Sequence, residues 1–409
     1  MGAVDTGLTE VYDEKNFYSA LGSNYQFLWM IRKPAAGNVV WWEVTMKCVI
    51  DRAALLEALA ATSSVLLTRT PKLILQCIRV TAEKQGVILT AYDQEVGLRY
   101  VVKQVDVTKT GETLVPGERL FSIVRESADE TLAFETDGDV LQIRGADSYF
   151  RINGQNVREF PPVPDMEGES DFVVKVAALR EAVDKTLFAA ARENTRYAIN
   201  GVLWEKSGKQ MNLVATDGRR LAMSGVSLEK AVGEDRSAIV PTKALSLLGK
   251  LHFDADESMD VQIKQNQVLL RTSRATISSV LVEGHFPKYQ DVIPRDNDKK
   301  IPLQTETFRS AVRRAALLAN MESRGVRIAI SSEGMVLTSR SPEQGEARIN
   351  VTVDYKGAPI EIGFNPEFLL DALKVCDAEI MLELKDPGRP GVIKSGPHFT
   401  YVVMPVNLS

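Results

Sequence analysis

The chain has 409 residues, with 49 lysines and arginines against 54 aspartates and glutamates, which gives a net charge of −5. Hydrophobic residues make up 44% and charged residues 25%, a globular composition that excludes disordered and fibrous proteins, and no apolar run approaches the ~18 residues of a membrane helix. At ~150 residues per domain the length predicts about three domains, and the acidic balance argues at first against a nucleic-acid partner.

The first 45 residues differ in composition from the rest. They hold three of the four tryptophans, Trp29, Trp41 and Trp42. Their longest apolar stretch, Phe27 to Ile31, is too short for the core of a secretory signal. Met46 then begins a strand-like run that resembles a natural protein start. We therefore interpret residues 1–45 as an N-terminal extension, an upstream-extended start or a poorly ordered tail; the alternative is a dedicated docking arm.

A repeat of about 125 residues organises the chain from Met46 onward, and such repeats are the first feature to search for in a sequence. The segment Ala53-Ala-Leu-Leu-Glu-Ala-Leu59 recurs 124 residues later as Ala177-Ala-Leu-Arg-Glu-Ala-Val183, with a weaker third copy at Thr307-Phe-Arg-Ser-Ala-Val312. Proline suits the first turn of a helix because its missing N–H would be unsatisfied there anyway. Prolines 125 residues apart open three amphipathic runs: Pro116 before Gly117–Glu126, Pro241 before Thr242–Lys250, and Pro366 before Glu367–Val375.

Short alternating runs with turn signals lie between these predicted helices. Leu132–Glu135 and Val140–Arg144, for example, flank Asp137-Gly138, a strong hairpin signal. Each unit is predicted to hold two helices packed on about eight short antiparallel strands, an α+β arrangement. Proline-rich junctions separate the units. The sequence therefore predicts three tandem copies of one domain, at 46–166, 170–297 and 300–409.

The sequence offers little support for catalysis or metal binding. It contains no phosphate-binding loop, dinucleotide fingerprint, nucleophile elbow or zincin motif, and its three histidines lie far apart. The three cysteines, Cys48, Cys77 and Cys376, are also far apart, which fits a reducing compartment. The cluster most like a site is Asp254/Asp256/Glu257, for which a solvated turn is favoured. An enzyme that uses these carboxylates remains the alternative.

Positive charge recurs on the first predicted helix of successive units. Segments 175–192 and 305–324 each carry four basic residues against two acidic ones, although the whole chain is acidic. Isolated basic helices are usually solvated faces. Their recurrence at corresponding positions favours a shared positive surface.

Five motifs, in order along this repeat, resemble the bacterial sliding clamp family, the beta subunit of DNA polymerase III. They are Ala215-Thr-Asp-Gly-Arg-Arg-Leu-Ala222, Gly284-His-Phe-Pro-Lys-Tyr289, Pro342-Glu-Gln344 with Glu346-Ala347, Glu361-Ile-Gly-Phe-Asn365, and Tyr401-Val-Val-Met-Pro405. The resemblance implies a processivity factor in which two chains join head to tail into a six-domain ring around duplex DNA. Such a ring needs positive charge only on its inner helices, so a net charge of −5 no longer argues against DNA.

The resemblance also implies two sets of site residues. Arg69, Arg196 and Tyr197 match positions that touch DNA. A hydrophobic pocket between the second and third domains would receive short linear peptides of the polymerase alpha subunit, the clamp loader, other polymerases and repair proteins. The matching pocket positions are Ile199, Thr216, Gly218, Arg219, Leu221, Pro241, Leu245, Asn365, Phe368, Val402, Met404, Pro405 and Val406.

The family is not enzymatic, and the resemblance implies no cofactor, no metal and a cytoplasmic, nucleoid-associated protein. Plain core packing is the alternative for Leu221, Leu245 and Val402, and a solvated loop charge is the alternative for Arg69. A clamp paralogue specialised for repair, regulation or phage defence is a further reading, with only the N-terminal extension in its favour.

Overall fold

The structure, a computed structural model, describes residues 44–192, 197–319 and 325–407. The predicted N-terminal extension lies outside these residues except for its last two positions, and so does Arg196. None of the helices within the described ranges has the length and apolar character needed to span a membrane.

Three domains repeat one order of elements: a strand, a helix, a three-strand meander, one or two further strands, a second helix and a second meander. The first domain comprises β1 (Val44–Asp51), α1 (Arg52–Ser63), β2 (Cys77–Glu83), β3 (Gly86–Tyr92), β4 (Val96–Val102), β5 (Val105–Lys109), β6 (Gly111–Pro116), α2 (Gly117–Glu126), β7 (Thr131–Asp137), β8 (Val140–Arg144) and β9 (Tyr149–Asn153). The second comprises β10 (Phe172–Lys175), α3 (Val176–Asp184), β11 (Gly201–Ser207), β12 (Gln210–Thr216), β13 (Arg220–Ser227), β14 (Lys230–Ala231), β15 (Arg236–Pro241), α4 (Thr242–Leu248), β16 (Ser258–Ile263), β17 (Gln267–Arg271) and β18 (Ala275–Val280). The third comprises β19 (Lys299–Gln304), α5 (Thr305–Ala316), β20 (Val326–Ser331), β21 (Gly334–Ser341), β22 (Gly345–Val351), β23 (Ile360–Phe364), α6 (Pro366–Leu373), β24 (Glu379–Leu384), β25 (Gly391–Ser395) and β26 (Phe399–Val403).

The helices begin where local sequence signals predict. Pro116 and Pro241 immediately precede α2 and α4, and Pro366 is the first residue of α6. The Asp51 carboxylate caps α1 by accepting a hydrogen bond from the Ala54 N–H at 2.8 Å. The Asn365 side chain caps α6 in the same way. Each cap satisfies a backbone donor that has no partner within the helix.

The strands form four antiparallel sheets, of which two join neighbouring domains. The order β14-β10-β16-β17-β18-β4-β3-β2-β6 joins the second domain to the first through β18 and β4. The order β15-β11-β12-β13-β26-β25-β24-β19 joins the second domain to the third through β13 and β26. The other two sheets, β5-β1-β7-β8-β9 and β22-β21-β20-β23, each belong to a single domain and end at β9 and β22.

The hydrophobic core is continuous through both junctions. Residues paired on adjacent antiparallel strands share one sheet face. Leu98 pairs with Ile277 across the first junction, and Ala222 pairs with Tyr401 across the second. All four side chains are buried in the core that also takes up the apolar sides of the helices. The helices of the three domains therefore cover one face of the shared sheets, which we call the helix face.

Candidate functional site

A second apolar cluster lies on the opposite face of the sheet that joins the second and third domains. Successive strand residues point to opposite faces, so Leu221, next to Ala222, points away from the helices and pairs with Val402. Both belong to a cluster that includes Tyr289 and Phe286. These two come from residues 281–293, the first part of the segment between β18 and β19, which we call the strap.

The strap leaves part of this cluster open as a cavity of about 200 Å³. Four chain segments meet there: the residues just before β11, the turn between β12 and β13, the end of β26, and the strap. The lining is predominantly aliphatic and aromatic, which is typical of sites that hold apolar side chains. It consists of Tyr197, Ile199, Thr216, Gly218, Arg219, Arg220, Leu221, Pro287, Tyr289, Val292, Val402 and Met404.

Side-chain hydrogen bonds fix the turn that forms one rim of the cavity. The Asp217 carboxylate accepts hydrogen bonds from the Arg219 and Arg220 N–H groups at 3.0 and 3.1 Å. The Thr216 hydroxyl accepts from the Gly218 N–H and donates to the Arg220 carbonyl. Gly218 has a φ of +86°, a conformation that favours glycine in turns. The Asp-Gly sequence thus determines the shape of this rim.

Arg220 connects this rim to the third domain. Its guanidinium donates to Asp217 at 3.1 Å, to Asp371 on α6 at 2.9 Å and to the Phe188 carbonyl at 2.9 Å. The guanidinium carbon also lies 4.5 Å from the ring centroid of Phe368, within range of a cation–π interaction. Burial opposes its charge, but the hydrogen bond to Asp371 and the nearby negative charge raise the pKa of Arg220 above its usual value.

Seven of the thirteen positions that the resemblance assigns to the pocket line this cavity. The other six lie elsewhere. Leu245 is fully buried in the main core on the helix face, and Pro241 precedes its helix. Asn365 caps α6, and Phe368 packs against Arg220. The remaining two, Pro405 and Val406, line a separate groove of about 570 Å³ with Glu361 and Arg327.

Five lining residues were not assigned to the pocket from sequence. Pro287 and Tyr289 belong to the Gly284–Tyr289 motif and Val292 follows it, so the motif was a usable signal for the strap. Arg220 lies within the Ala215–Ala222 motif. The fifth, Tyr197, was assigned to DNA; its side chain is 51% exposed at the mouth of the cavity.

The other candidate DNA residue, Arg69, is exposed in the loop after α1. Tyr197 lies in the corresponding loop after α3 of the second domain. The two residues therefore lie in corresponding loops of successive domains, although the 124-residue repeat step places them four positions apart.

A larger cleft of about 820 Å³ lies on the other side of the strap. Its lining includes the charged residues Glu205, Glu283 and Lys288. The Tyr289 hydroxyl donates a hydrogen bond to Glu205 at 2.5 Å, which ties the strap to β11. Pro287 and Tyr289 line both spaces, so this bond helps to fix the wall between the polar cleft and the apolar cavity.

The carboxylate cluster Asp254/Asp256/Glu257 is part of a hydrogen-bonded turn. Glu257 accepts hydrogen bonds from the Ser273 N–H at 3.0 Å and the Ser273 hydroxyl at 2.6 Å. Burial opposes ionisation of Glu257, but these hydrogen bonds hold its pKa below the usual value. Across the described parts of the chain, no three His, Cys, Asp or Glu side chains are grouped so that they could hold a metal ion.

Three repeated α+β domains, joined by shared sheets and covered by helices on one face, define a protein of the DNA-clamp fold. Family models of the DNA polymerase III beta subunit match the chain in order: the N-terminal domain at residues 46–164, the central domain at 173–288 and the C-terminal domain at 290–407. The chain belongs to the DNA polymerase III beta subunit family, as the motifs predicted.

Curated relatives and solved structures support this assignment. The beta sliding clamp of Pseudomonas aeruginosa is 32% identical over 367 residues, which cover 89% of this chain and all of the relative. The beta sliding clamp of Escherichia coli is 31% identical over 369 residues, with the same coverage. The crystal structure of the Bacillus subtilis DNA polymerase sliding clamp matches with a TM-score of 0.84 at 26% identity, covering 89% of this chain and all of that one. The predicted tandem clamp domains are therefore confirmed.

Proposed function

We propose that two copies of this chain close into a ring around duplex DNA, and that the cavity beside the strap tethers replication and repair proteins to it. The role is that of a processivity factor: it acts by topology and not by catalysis, and no cofactor enters it. The observation that carries the proposal is that β9 and β22 are end strands of their sheets and take part in neither of the two domain junctions within the chain.

The two junctions follow one rule. The last strand of a domain's first meander pairs with the last strand of the next domain's second meander, as β4 does with β18 and β13 with β26. The strands of these two kinds that remain are β22 in the third domain and β9 in the first. Pairing β22 with β9 of a second copy would join sheets of four and five strands into nine, the size of the first shared sheet. A head-to-tail contact of this kind closes into a ring when the rotation allows it.

The repeat also predicts the register of that contact. Strand β9 pairs with β8 as β18 pairs with β17, and β22 pairs with β21 as β4 pairs with β3, so these hairpins can be aligned residue by residue. Across the first junction, Ser278 of β18 pairs with Gly97 of β4. The equivalent residues are Arg151 in β9 and Glu346 in β22. Opposite charges directly across two strands stabilise their pairing, so this register is electrostatically favourable.

Exposed apolar surface beside these two strands supports the same contact. Leu317, just beyond the end of α5, is 73% exposed, and Tyr149 at the start of β9 is 55% exposed. Helix α5 packs against β22. Large exposed apolar side chains beside an open sheet end are typical of a surface that another chain covers.

The helix face is the surface proposed to surround DNA. Weak, sequence-independent attraction between basic side chains and phosphates is sufficient for a closed ring, because escape requires ring opening, and it permits sliding. Arg69 and Tyr197, from corresponding loops of the first two domains, are proposed DNA contacts, together with Arg196, which lies outside the described residues. This role places the protein with the nucleoid in the cytoplasm.

The cavity is the proposed docking site for short peptides of the polymerase alpha subunit, the clamp loader and other partners. Its floor lies on the sheet face away from the helices, so it would stay accessible while DNA fills the ring, with Tyr197 at its mouth as the one residue shared with the proposed DNA contacts. Ile199, Leu221 and Val402 offer a fixed aliphatic floor. Met404, 39% exposed, has a flexible thioether side chain that adapts to different apolar partners.

A charge exchange tests the ring. Arg151→Glu and Glu346→Arg should each place like charges opposite one another at both subunit contacts. At about 1 kcal/mol per contact the dimer should dissociate about thirtyfold more readily, and the double variant should recover. Sedimentation equilibrium or light scattering measures this, with Lys84→Glu, in the exposed β2–β3 turn, as the control. A wild-type chain that stays monomeric at micromolar concentration and is not retained on circular DNA would refute the ring.

A further inference from the structure

We propose that Asp371, on helix α6 of the third domain, is a positioning residue for the peptide cavity and acts on it through Arg220. This assignment rests on the proposed peptide-docking function of the cavity. Asp371 is absent from the cavity lining. Its effect on the cavity would therefore be exerted through the arginine that it holds.

Arg220 lines the cavity, but its polar atoms are fixed by groups outside the lining. The Nε group donates to Asp217, one Nη to Asp371 and the other Nη to the carbonyl of Phe188. Asp217 and Phe188 belong to the second domain, as Arg220 does, whereas Asp371 comes from the third. The guanidinium is thus held from both sides of the domain junction that the cavity spans.

Removing the charge at Asp371 would leave Asp217 as the remaining carboxylate paired with the Arg220 guanidinium. The Arg220 side chain is only 11% exposed, and a buried cation that loses a counter-ion is strongly disfavoured. The cavity that Arg220 already lines offers its guanidinium a route to water. We therefore expect the guanidinium to shift toward this opening, narrowing the space for an apolar side chain and weakening the contact of domain 2 with α6.

The other junction provides a matched control. Asp93 forms an ion pair with Lys243 on α4, which links the first domain to the second helix of the second domain. The Asp93 carboxylate is 1% exposed and also accepts the N–H groups of Glu95 and Val96. Asp93→Asn should therefore destabilise a domain junction as Asp371→Asn does, but at a site that shares no lining residue with the cavity.

The test compares the dissociation constant of one probe, a fluorescein-labelled peptide carrying the clamp-binding segment of the polymerase III alpha subunit. Asp371→Asn should bind it about five- to twentyfold more weakly than wild type, because the amide no longer balances the charge of the guanidinium. Asp371→Glu, which restores the charge, should recover most of the affinity. Asp93→Asn should bind like wild type, and light scattering should show that all variants assemble equally.

Each other outcome overturns the assignment. Wild-type affinity in Asp371→Asn would mean that the arginine needs no counter-charge from α6. Equal weakening in Asp371→Asn and Asp93→Asn would mean that the loss reflects general destabilisation. A wild-type protein that fails to bind the peptide would refute the peptide site itself, and this assignment with it.

Discussion

The substitution Gly218→Ala isolates the contribution of one backbone angle to the cavity rim. Gly218 has a φ of +86°, and a Cβ added there would meet no heavy atom within 4 Å. The substitution therefore creates no clash and removes no contact. Its whole effect in the folded protein is the strain of placing alanine in a conformation that L-residues avoid.

The size of this effect follows from the same geometry. A left-handed conformation costs a non-glycine residue about 1–2 kcal/mol. Alanine also lowers the entropy of the unfolded chain relative to glycine, but that gain, about 0.4–1 kcal/mol, offsets only part of the strain. We expect the free energy of unfolding to fall by about 1 kcal/mol. Gly138, in the β7–β8 turn with a φ of +59° and equally open surroundings, is the matched control and should lose the same amount.

The two variants should differ at the cavity. If the turn relaxes to relieve the strain at Gly218, the hydrogen bonds from Arg219 and Arg220 to Asp217 weaken and the rim changes shape. Gly218→Ala should then bind the labelled alpha-subunit peptide about fivefold more weakly, a change of about 1 kcal/mol. Gly138→Ala should bind like wild type, and Gly218→Asn should lie between, since asparagine tolerates such angles. Denaturant titration and fluorescence anisotropy measure both quantities. Equal affinity in Gly218→Ala and Gly138→Ala, at equal loss of stability, would refute the role of the angle.

Two further predictions concern stability. Burial raises the pKa of Cys48 to about 12 and those of Cys77 and Cys376 to about 11, so the folded chain keeps these protons at a pH where the unfolded chain releases them near 9. The free energy of unfolding should therefore fall between pH 9 and 11, by up to about 1.4 kcal/mol per pH unit per thiol. The fall should be less steep in Cys48→Ala. If denaturant titrations gave the same pH dependence for this variant as for wild type, the result would contradict the prediction. Leu245→Ala should lower the free energy of unfolding by about 2–5 kcal/mol and leave peptide affinity unchanged. Met404→Ala, at a partly exposed position, should weaken peptide binding and leave stability nearly unchanged. Calorimetry and anisotropy measure the two quantities, and weaker peptide binding in Leu245→Ala or a large loss of stability in Met404→Ala would contradict these assignments.

The repeat and the helix starts could be predicted because their signals are local. A proline acts within the first turn of its own helix, and the Asp137-Gly138 hairpin needs only its two flanking strands. The same locality explains why the shared sheets could not be predicted. The alternation of apolar and polar residues in β4 and β18 shows that each strand has a buried face, but it does not identify the neighbouring strand in the sheet.

The cavity shows the same limit. Its rim at Gly218 and its floor at Val402 lie in motifs that the sequence displays, and both line the cavity. A further wall comes from the strap, where Val292 has the character of an ordinary linker residue and is 45% exposed. It lines the cavity only because a sheet formed elsewhere in the chain lies beside it. Leu245, by contrast, has the character of a pocket residue but lies in the core. Apolar residue type predicts burial, and only tertiary packing decides whether that burial is core or site.

The proposed ring contains a third kind of junction, and it differs electrostatically from the other two. Asp93 pairs with Lys243 across the first junction, and Arg220 pairs with Asp371 across the second. The turn before β22 holds Ser341-Pro342-Glu343-Gln344 and no aspartate. The position of Lys243 in the repeat would be occupied by Glu118 of the partner subunit. This junction would therefore rest on strand pairing, apolar contact and the exposed Arg151–Glu346 pair. The ring must open to admit circular DNA, and this junction can open without separating a buried ion pair. The junctions within each chain cannot.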